Sequence, residues 1–337
     1  MNTKPLDLIT MGRSSMDLYS NQLGARFEDI TSFAAYVGGS PTNIAVGVRR
    51  LGLEVGLLTA LGEDRSGDFI LNFLDNEGIE TGMIPRKAGH PTSAVLLGIE
   101  ANHKTPLVFY RDNCADIELS IDDVIAANLE RAGALEISGT GLAKDPSRSA
   151  TFYAVERARS LGKTVFMDID FRANQWHDPR AFGVAVRAIL PMVDVAIGTE
   201  EEINAVGLTS ATQLKIVNSQ IQAPEITGDL NANIKLILER GPKALVVKTG
   251  AKGAEVHLQS GEIITAPGFS VEVYNTVGAG DAFGSGFIYG QLQGWDWYKS
   301  VRLGNACGAI VVSRHACANA MPTMTEILEL VNAQGGW

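Results

Sequence analysis

From residue 114 onward, short β-branched runs alternate with helix-length amphipathic segments, and few folds accept that alternation. The runs Ala134–Ser138, Val165–Ile169, Val193–Ile197 and Ala244–Lys248 read as strands, with helices near 121–131, 147–161, 179–190 and 230–239 before or between them. Two strands joined through a helix cannot pair as a hairpin. They lie parallel in one sheet, with right-handed crossovers that bury the sheet under helices. In such a sheet a ligand belongs at the carboxyl ends of the strands.

The first third of the chain is less regular. Leu8–Met11 reads as a strand ending at Gly12, and residues 13–36 have mixed polarity and extended character. Gly38-Gly39-Ser40-Pro41-Thr42-Asn43 is a turn into a helix that Gly52 stops, with proline near the first helical position. Val55–Ala60 is a further strand, and Phe69–Asn76 a helix closed by Gly78. Pro91–Ile99 and Pro106–Tyr110 are β-rich runs separated by residues 100–104, a hairpin inserted between βα units. Residues 13–37 and 91–112 are therefore expected to form a small β-rich lid, with residues 1–12, 38–90 and 113–337 forming the α/β core. Residues 208–228 read as a polar surface excursion. The tail gives an edge hairpin over 253–265, then helices near 280–293, 297–313 and 323–333.

Charge narrows the function classes. A net charge of −10 over 337 residues argues against a nucleic-acid or membrane-surface binder, which carry basic patches. It also requires any anionic ligand to be held by local charges and dipoles. Cys114, Cys307 and Cys317 show neither metal-ligand spacing nor a disulfide framework, and Met1–Asp7 is polar and does not read as a signal peptide. A cytoplasmic protein is the expectation.

Polar or glycine-rich clusters fall where the strands end: Gly12, Ser138–Gly141, Asp168–Arg172, Gly198–Glu201 and Lys248–Gly253. Each alone could be a turn or a helix cap; together they mark one edge of the sheet. Facing them is Val277-Gly278-Ala279-Gly280-Asp281, which runs into a small-residue helix. A glycine turn at a helix start presents unpaired N–H groups and the positive end of the helix dipole to an anion. The carboxylate beside it is either a helix-start residue or a proton acceptor. Gly162-Lys163-Thr164 is not a Walker loop, because Arg157 stands where the first glycine is needed, and neither Gly-x-Ser-x-Gly nor His-Glu-x-x-His occurs. His177 and His315 read as capping or surface residues.

Gly38-Gly39-x-x-x-Asn43 and Asn275-Thr276-Val277-Gly278-Ala279-Gly280-Asp281, in that order, resemble the two signatures of the ribokinase-like (PfkB) family of carbohydrate kinases. The resemblance implies a three-layer α/β/α core with a mostly parallel sheet, a small β-sheet lid, and ATP-dependent phosphorylation of a sugar hydroxyl with Mg²⁺. It makes Asp281 the catalytic base and the N–H groups of Gly278, Ala279 and Gly280 an anion hole. It assigns sugar contacts to Asp17, Gly38, Gly39 and Asn43. Nucleotide contacts fall to Lys248, Gly250, Gly253 and Asn305, and Glu201 organises Mg²⁺. A homo-oligomer, a dimer through the lid, is a further implication. In two places the pattern departs: Gly198 replaces the asparagine of a metal-organising Asn-x-x-Glu, and Asn275 replaces an aspartate that helps bind K⁺ in relatives, which leaves a monovalent cation such as K⁺ an optional cofactor.

Two arginines bear on the substrate. Arg111 leaves the lid and Arg172 ends a strand, and a pair of guanidinium forks in one cleft would suit a carboxylate. With Ser313–Pro322, these segments resemble the branch of the family that serves myo-inositol catabolism. That likeness implies transfer to the 6-hydroxyl of a 5-keto-2-deoxy sugar acid. A 2-keto-3-deoxy sugar acid and a non-catalytic sugar-acid-binding regulator are the alternatives.

Overall fold

The structure, a computed structural model, describes residues 4–100, 105–215 and 225–337. The turn expected over 100–104 and the middle of the 208–228 excursion fall largely outside the described residues.

In chain order, β1 (Leu6–Met11), β2 (Ser15–Ser20) and β3 (Phe33–Gly38) lead into α1 (Ser40–Arg50), β4 (Val55–Leu58), β5 (Leu61–Gly62) and α2 (Arg65–Glu77). Then come β6 (Arg86–Lys87), β7 (Ser93–Leu97), β8 (Leu107–Tyr110), α3 (Ile121–Ala127), β9 (Ala132–Ser138), α4 (Ser147–Ser160) and β10 (Thr164–Asp168). These are followed by α5 (Pro179–Ile189), β11 (Val195–Thr199), α6 (Glu200–Val206), β12 (Leu214–Lys215), β13 (Glu225–Ile226) and α7 (Leu230–Leu238). The chain closes with β14 (Ala244–Lys248), β15 (Gly253–Leu258), β16 (Ile263–Pro267), α8 (Ala279–Leu292), α9 (Trp297–Val312) and α10 (Met324–Ala333).

The main sheet has the order β16-β15-β14-β11-β10-β9-β1-β4. From β14 to β4 every pairing is parallel, and β15 and β16 add an antiparallel edge. Successive side chains of a strand point to opposite faces, so each buried strand feeds two cores. Leu8, Phe166, Val195 and Val246 pack with α1, α8 and α9, whereas Ile9, Met167, Ala196 and Leu245 pack with α4 to α7. That is the three-layer α/β/α arrangement.

A separate four-stranded sheet has the order β3-β2-β7-β8, with β2 and β7 parallel and the outer pairs antiparallel. Its apolar face, with Tyr19, Val95, Leu97 and Leu107, packs on Val277 and Cys317. No described helix is long and apolar enough to cross a membrane.

Local chemistry explains where boundaries differ from the expected ones. α2 begins earlier, at Arg65, because the Asp64 carboxylate caps it, accepting from the Gly67 N–H at 2.7 Å. The helix expected to reach 131 stops at Ala127, where Asn128 turns left-handed at φ 52°. α6 was not anticipated. Its start is a capping box, in which Thr199 and Glu202 each accept from the other's backbone N–H, and that Thr-x-x-Glu spacing was the available signal.

Candidate active site

Two helix starts, one from each end of the chain, meet above the sheet. At the first, β3 turns into α1 through Gly39, whose φ of 105° and whose position 2.3 Å (at a hypothetical Cβ) from the Arg13 carbonyl oxygen exclude any side chain. The turn sends Ser40 and Asn43 to the carboxyl ends of the strands. Ser40 Oγ donates to Asp168 Oδ2 at 2.7 Å, and Asn43 Nδ2 donates to Asp281 Oδ2 at 2.6 Å.

At the second, Gly278 caps α8 at φ 80°, a left-handed conformation, with Cys317 packed against it. The Asn275 side chain holds the turn from below, accepting from the Val277 N–H at 2.9 Å and donating to the Arg314 carbonyl oxygen at 2.6 Å. The first N–H groups of α8 have no intrahelical partner and face the anion-attracting end of the helix dipole. The Lys248 ammonium adds charge at this turn, lying 3.1 Å from where a Cβ on Gly280 would stand.

Lys248 is the hub of the buried charges. Its Nζ donates to Asp168 Oδ1 at 3.2 Å and lies 3.8 Å from Glu202. Burial disfavours the ammonium, but Asp168 and Glu202 outweigh it and hold the group charged, above its ordinary value. Asp281 is pushed up to about 6, first by burial and then by repulsion from Asp168 and Asp170, with the Asn43 amide and Lys248 pulling the other way. Asp168 also stands at about 6, raised by burial and by Glu202 and Asp170 against the pull of Lys248. Asp170 is buried too, yet Arg172 at 2.8 Å and Arg13 draw it below the usual carboxylate range. A carboxylate poised near neutrality beside an anion-binding turn can accept a proton from a hydroxyl while the turn holds a phosphoryl group.

A cavity of about 860 Å³ gathers most of the expected residues. Gly278, Ala279, Gly280, Asp281, Arg172, Glu201, Lys248, Gly250, Gly253 and Asn305 all line it. Asn305 donates its amide to the Ala266 and Pro267 carbonyl oxygens and so fixes the end of β16 at the rim. Gly250 and Gly253 form the turn after β14. Asp17 and Asn43 are buried deeper, and the Asp17 carboxylate lies against the backbone of Gly38.

Arg111 is placed differently from expectation. It does not share a cleft with Arg172, but lines a second cavity of about 300 Å³ with Phe109, Thr140, Lys144 and Gln175. A buried guanidinium needs a counter-charge, and Asp116, five residues on, supplies it at 2.6 Å. The Thr140 carbonyl oxygen and the Gln175 side chain accept its remaining donors. His315 also differs: its ring sits edge-on among Tyr19, Tyr36 and Tyr274. The glycine at 198 has a steric reason, since a Cβ there would lie 2.9 Å from Ile169 Cδ1. Sequence reasoning missed Ser40, Glu202 and Arg13 as parts of this neighbourhood.

Known proteins resemble the chain along nearly its whole length. The profile of the pfkB family of carbohydrate kinases matches residues 6–324. The chain is 35% identical over 329 residues to the 5-dehydro-2-deoxygluconokinase of Geobacillus thermodenitrificans, covering 97% of this chain and 94% of that one. Another 5-dehydro-2-deoxygluconokinase, from Clostridium tetani, is 35% identical over 330 residues, covering 97% of this chain and 93% of that one. Among solved structures, a putative Ribokinase II from E. coli in complex with ATP and Mg²⁺ superposes with a TM-score of 0.84 at 22% identity, covering 97% of this chain and 99% of that one.

Proposed function

The chain belongs to the pfkB family of carbohydrate kinases, and from that premise we propose that it transfers the γ-phosphoryl group of ATP to the 6-hydroxyl of 5-dehydro-2-deoxygluconate. The observation that carries the mechanism is the Asn43–Asp281 hydrogen bond at the start of α8. It occupies Oδ2 of Asp281 and leaves Oδ1 to accept the hydroxyl proton. The relatives of that name supply the substrate.

In this reading the sugar lies between Asp17, Gly38, Gly39 and Asn43 on one side and Asp281 on the other. Asp281 takes the proton as the hydroxyl oxygen attacks. The N–H groups of Gly278, Ala279 and Gly280, with Lys248, stabilise the charge on the phosphoryl group in flight. Such transfer is mainly positioning and electrostatics, so these groups suffice for the protein's part. The nucleotide lies along Gly250, Gly253 and Asn305. The β3-β2-β7-β8 sheet is the lid that excludes water and so limits loss of ATP to hydrolysis.

The residues suit Mg²⁺. Among the described residues no three potential ligands stand close enough to hold a metal unaided, and Mg²⁺ is ordinarily held by one or two carboxylates with phosphate oxygens and water. Glu201, exposed at the cavity wall, would hold it through water, while Lys248 and Arg172 engage Glu202 instead. When bound, it would neutralise charge on the phosphate oxygens. K⁺ has no place in the reading, because the Asn275 amide already donates to the Arg314 carbonyl oxygen. The exposed rim of the lid, with Tyr110 59% accessible, would join two subunits, and a solution mass by light scattering tests that dimer.

The central test is a coupled ATP assay with purified protein, Mg²⁺, 5-dehydro-2-deoxygluconate and 2-keto-3-deoxygluconate. Faster turnover of the second acid would transfer the reading to that isomer. Tight binding of either acid without ADP formation would make the chain a sugar-acid-binding regulator.

A further inference from the structure

Arg13 follows Gly12 at the end of β1, between the main sheet and the small one, and is 93% buried from solvent (7% exposed). Its Nη1 donates to Ser15 Oγ at 2.6 Å, and Ser15 passes that bond to Asp17 Oδ1, also at 2.6 Å. The guanidinium carbon stands 5.5 Å from the centre of the Phe109 ring. Its Nε is buried without any hydrogen-bond partner.

The neighbouring guanidinium groups are neutralised. Arg111 has Asp116 at 2.6 Å and Arg172 has Asp170 at 2.8 Å, so the fork of each is largely spent within the protein. Arg13 forms no ion pair within 4.0 Å with any described carboxylate. A buried charge left in that condition is costly, and burial indeed works against the Arg13 cation. Asp17, reached through Ser15, is the largest charge opposing that cost, and a ligand carboxylate would complete the pairing.

We infer that Arg13 is the residue that reads the carboxylate of the sugar acid, in place of an Arg111–Arg172 clamp. The inference rests on the proposed sugar-acid kinase activity and assigns its specificity. Position agrees with chemistry. The reacting hydroxyl and the carboxylate are opposite ends of a six-carbon chain. Asp281 holds one end, and Asp17, joined to Arg13 through Ser15, stands near enough to feel the Asp281 charge. A guanidinium fork with a free edge accepts a carboxylate in a planar, two-bond geometry that a neutral sugar terminus cannot supply. Phe109, against the flat face, keeps that plane in place.

The test compares kcat/KM for 5-dehydro-2-deoxygluconate with that for its C1 carboxamide, in the wild type, Arg13→Gln and Arg13→Lys, with the KM for ATP and the melting temperature as companions. The wild type should favour the acid by about 100-fold, the size expected for hydrogen bonds to a charged group. Arg13→Gln should bring the ratio to within a few fold with the KM for ATP unchanged, and Arg13→Lys should retain part of the preference. An unaltered ratio in Arg13→Gln overturns the assignment; if that variant does not fold, a full preference in Arg13→Lys overturns it equally. A wild type that phosphorylates acid and carboxamide alike removes the role of Arg13 and leaves the kinase standing. A wild type that phosphorylates neither acid nor carboxamide overturns the kinase reading itself.

Discussion

Asn43 Nδ2 donates to Asp281 Oδ2 at 2.6 Å across 238 residues of sequence, tying the first turn of α1 to the first turn of α8. That bond orients the carboxylate and favours its charged form, against the burial and the Asp168 and Asp170 charges that raise its pKa. Removing the carboxylate removes the proposed proton acceptor but leaves the cavity. Asp281→Asn should lower kcat by about 10²–10⁴, the usual contribution of a general base. Nucleotide affinity measured by calorimetry should stay near the wild-type value. Turnover within tenfold of wild type would show that the proton leaves by another route.

The same bond predicts a pH effect of known sign. With Asp281 and Asp168 both at about 6, the pair should give kcat/KM an acidic limb near that pH, rising as Asp281 ionises. The Asn43 amide favours the charged form, so Asn43→Ala should move the limb to higher pH. A pH–rate profile with the limb unmoved or lowered would contradict this.

Stability should respond in the opposite sense. A carboxyl whose pKa is raised on folding holds its proton longer in the native state, so its stabilising contribution is present at low pH and lost as pH rises through about 6. Asp281→Asn has no such loss. Its melting temperature relative to wild type should therefore climb between pH 4 and pH 7, as scanning calorimetry at several pH values can check.

Gly278 offers a test of the anion hole. At φ 80°, with Cys317 Sγ 3.2 Å from a prospective Cβ, Gly278→Ala forces the turn to shift. A left-handed alanine costs about 1–2 kcal/mol, and displacing one donor of such a hole costs about 10²–10³ in kcat. The expected result is a modest fall in melting temperature with a large fall in kcat; the reverse proportion would mean that the turn is only structural.

Asn275 leads to a prediction about salt. Its amide donates to the Arg314 carbonyl oxygen at 2.6 Å, and an amide N–H cannot coordinate a cation. Activity should be equal in potassium and tetramethylammonium chloride at matched ionic strength. A severalfold stimulation by potassium would overturn it.

Much of this was legible in the sequence because a parallel sheet repeats one physical unit. Each strand must be apolar on both faces and must end in something that can turn, so Gly12, Ser138, Asp168, Thr199 and Lys248 are marked by the sequence pattern alone. The Asn275–Asp281 stretch was legible for a second reason: its glycines need a backbone few residues accept. Charge accounting was not legible. Whether Arg111 is spent on Asp116, or whether Arg13 is left with a bare Nε, depends on which side chains come within a few ångströms in three dimensions. Lys248 was expected beside the nucleoside, yet its long stem carries the ammonium to Gly280 and Asp168. His315 read as a surface residue because no local pattern announces three tyrosines from distant segments.

The contact between Tyr19 of β2 and Cys317, beside Gly278, joins residues 298 apart. The small sheet comes early from the ribosome and the turn it rests on comes almost last. A nascent chain can therefore complete every strand of its eight-stranded sheet before Val277 and Cys317, on which the small sheet packs, have been made.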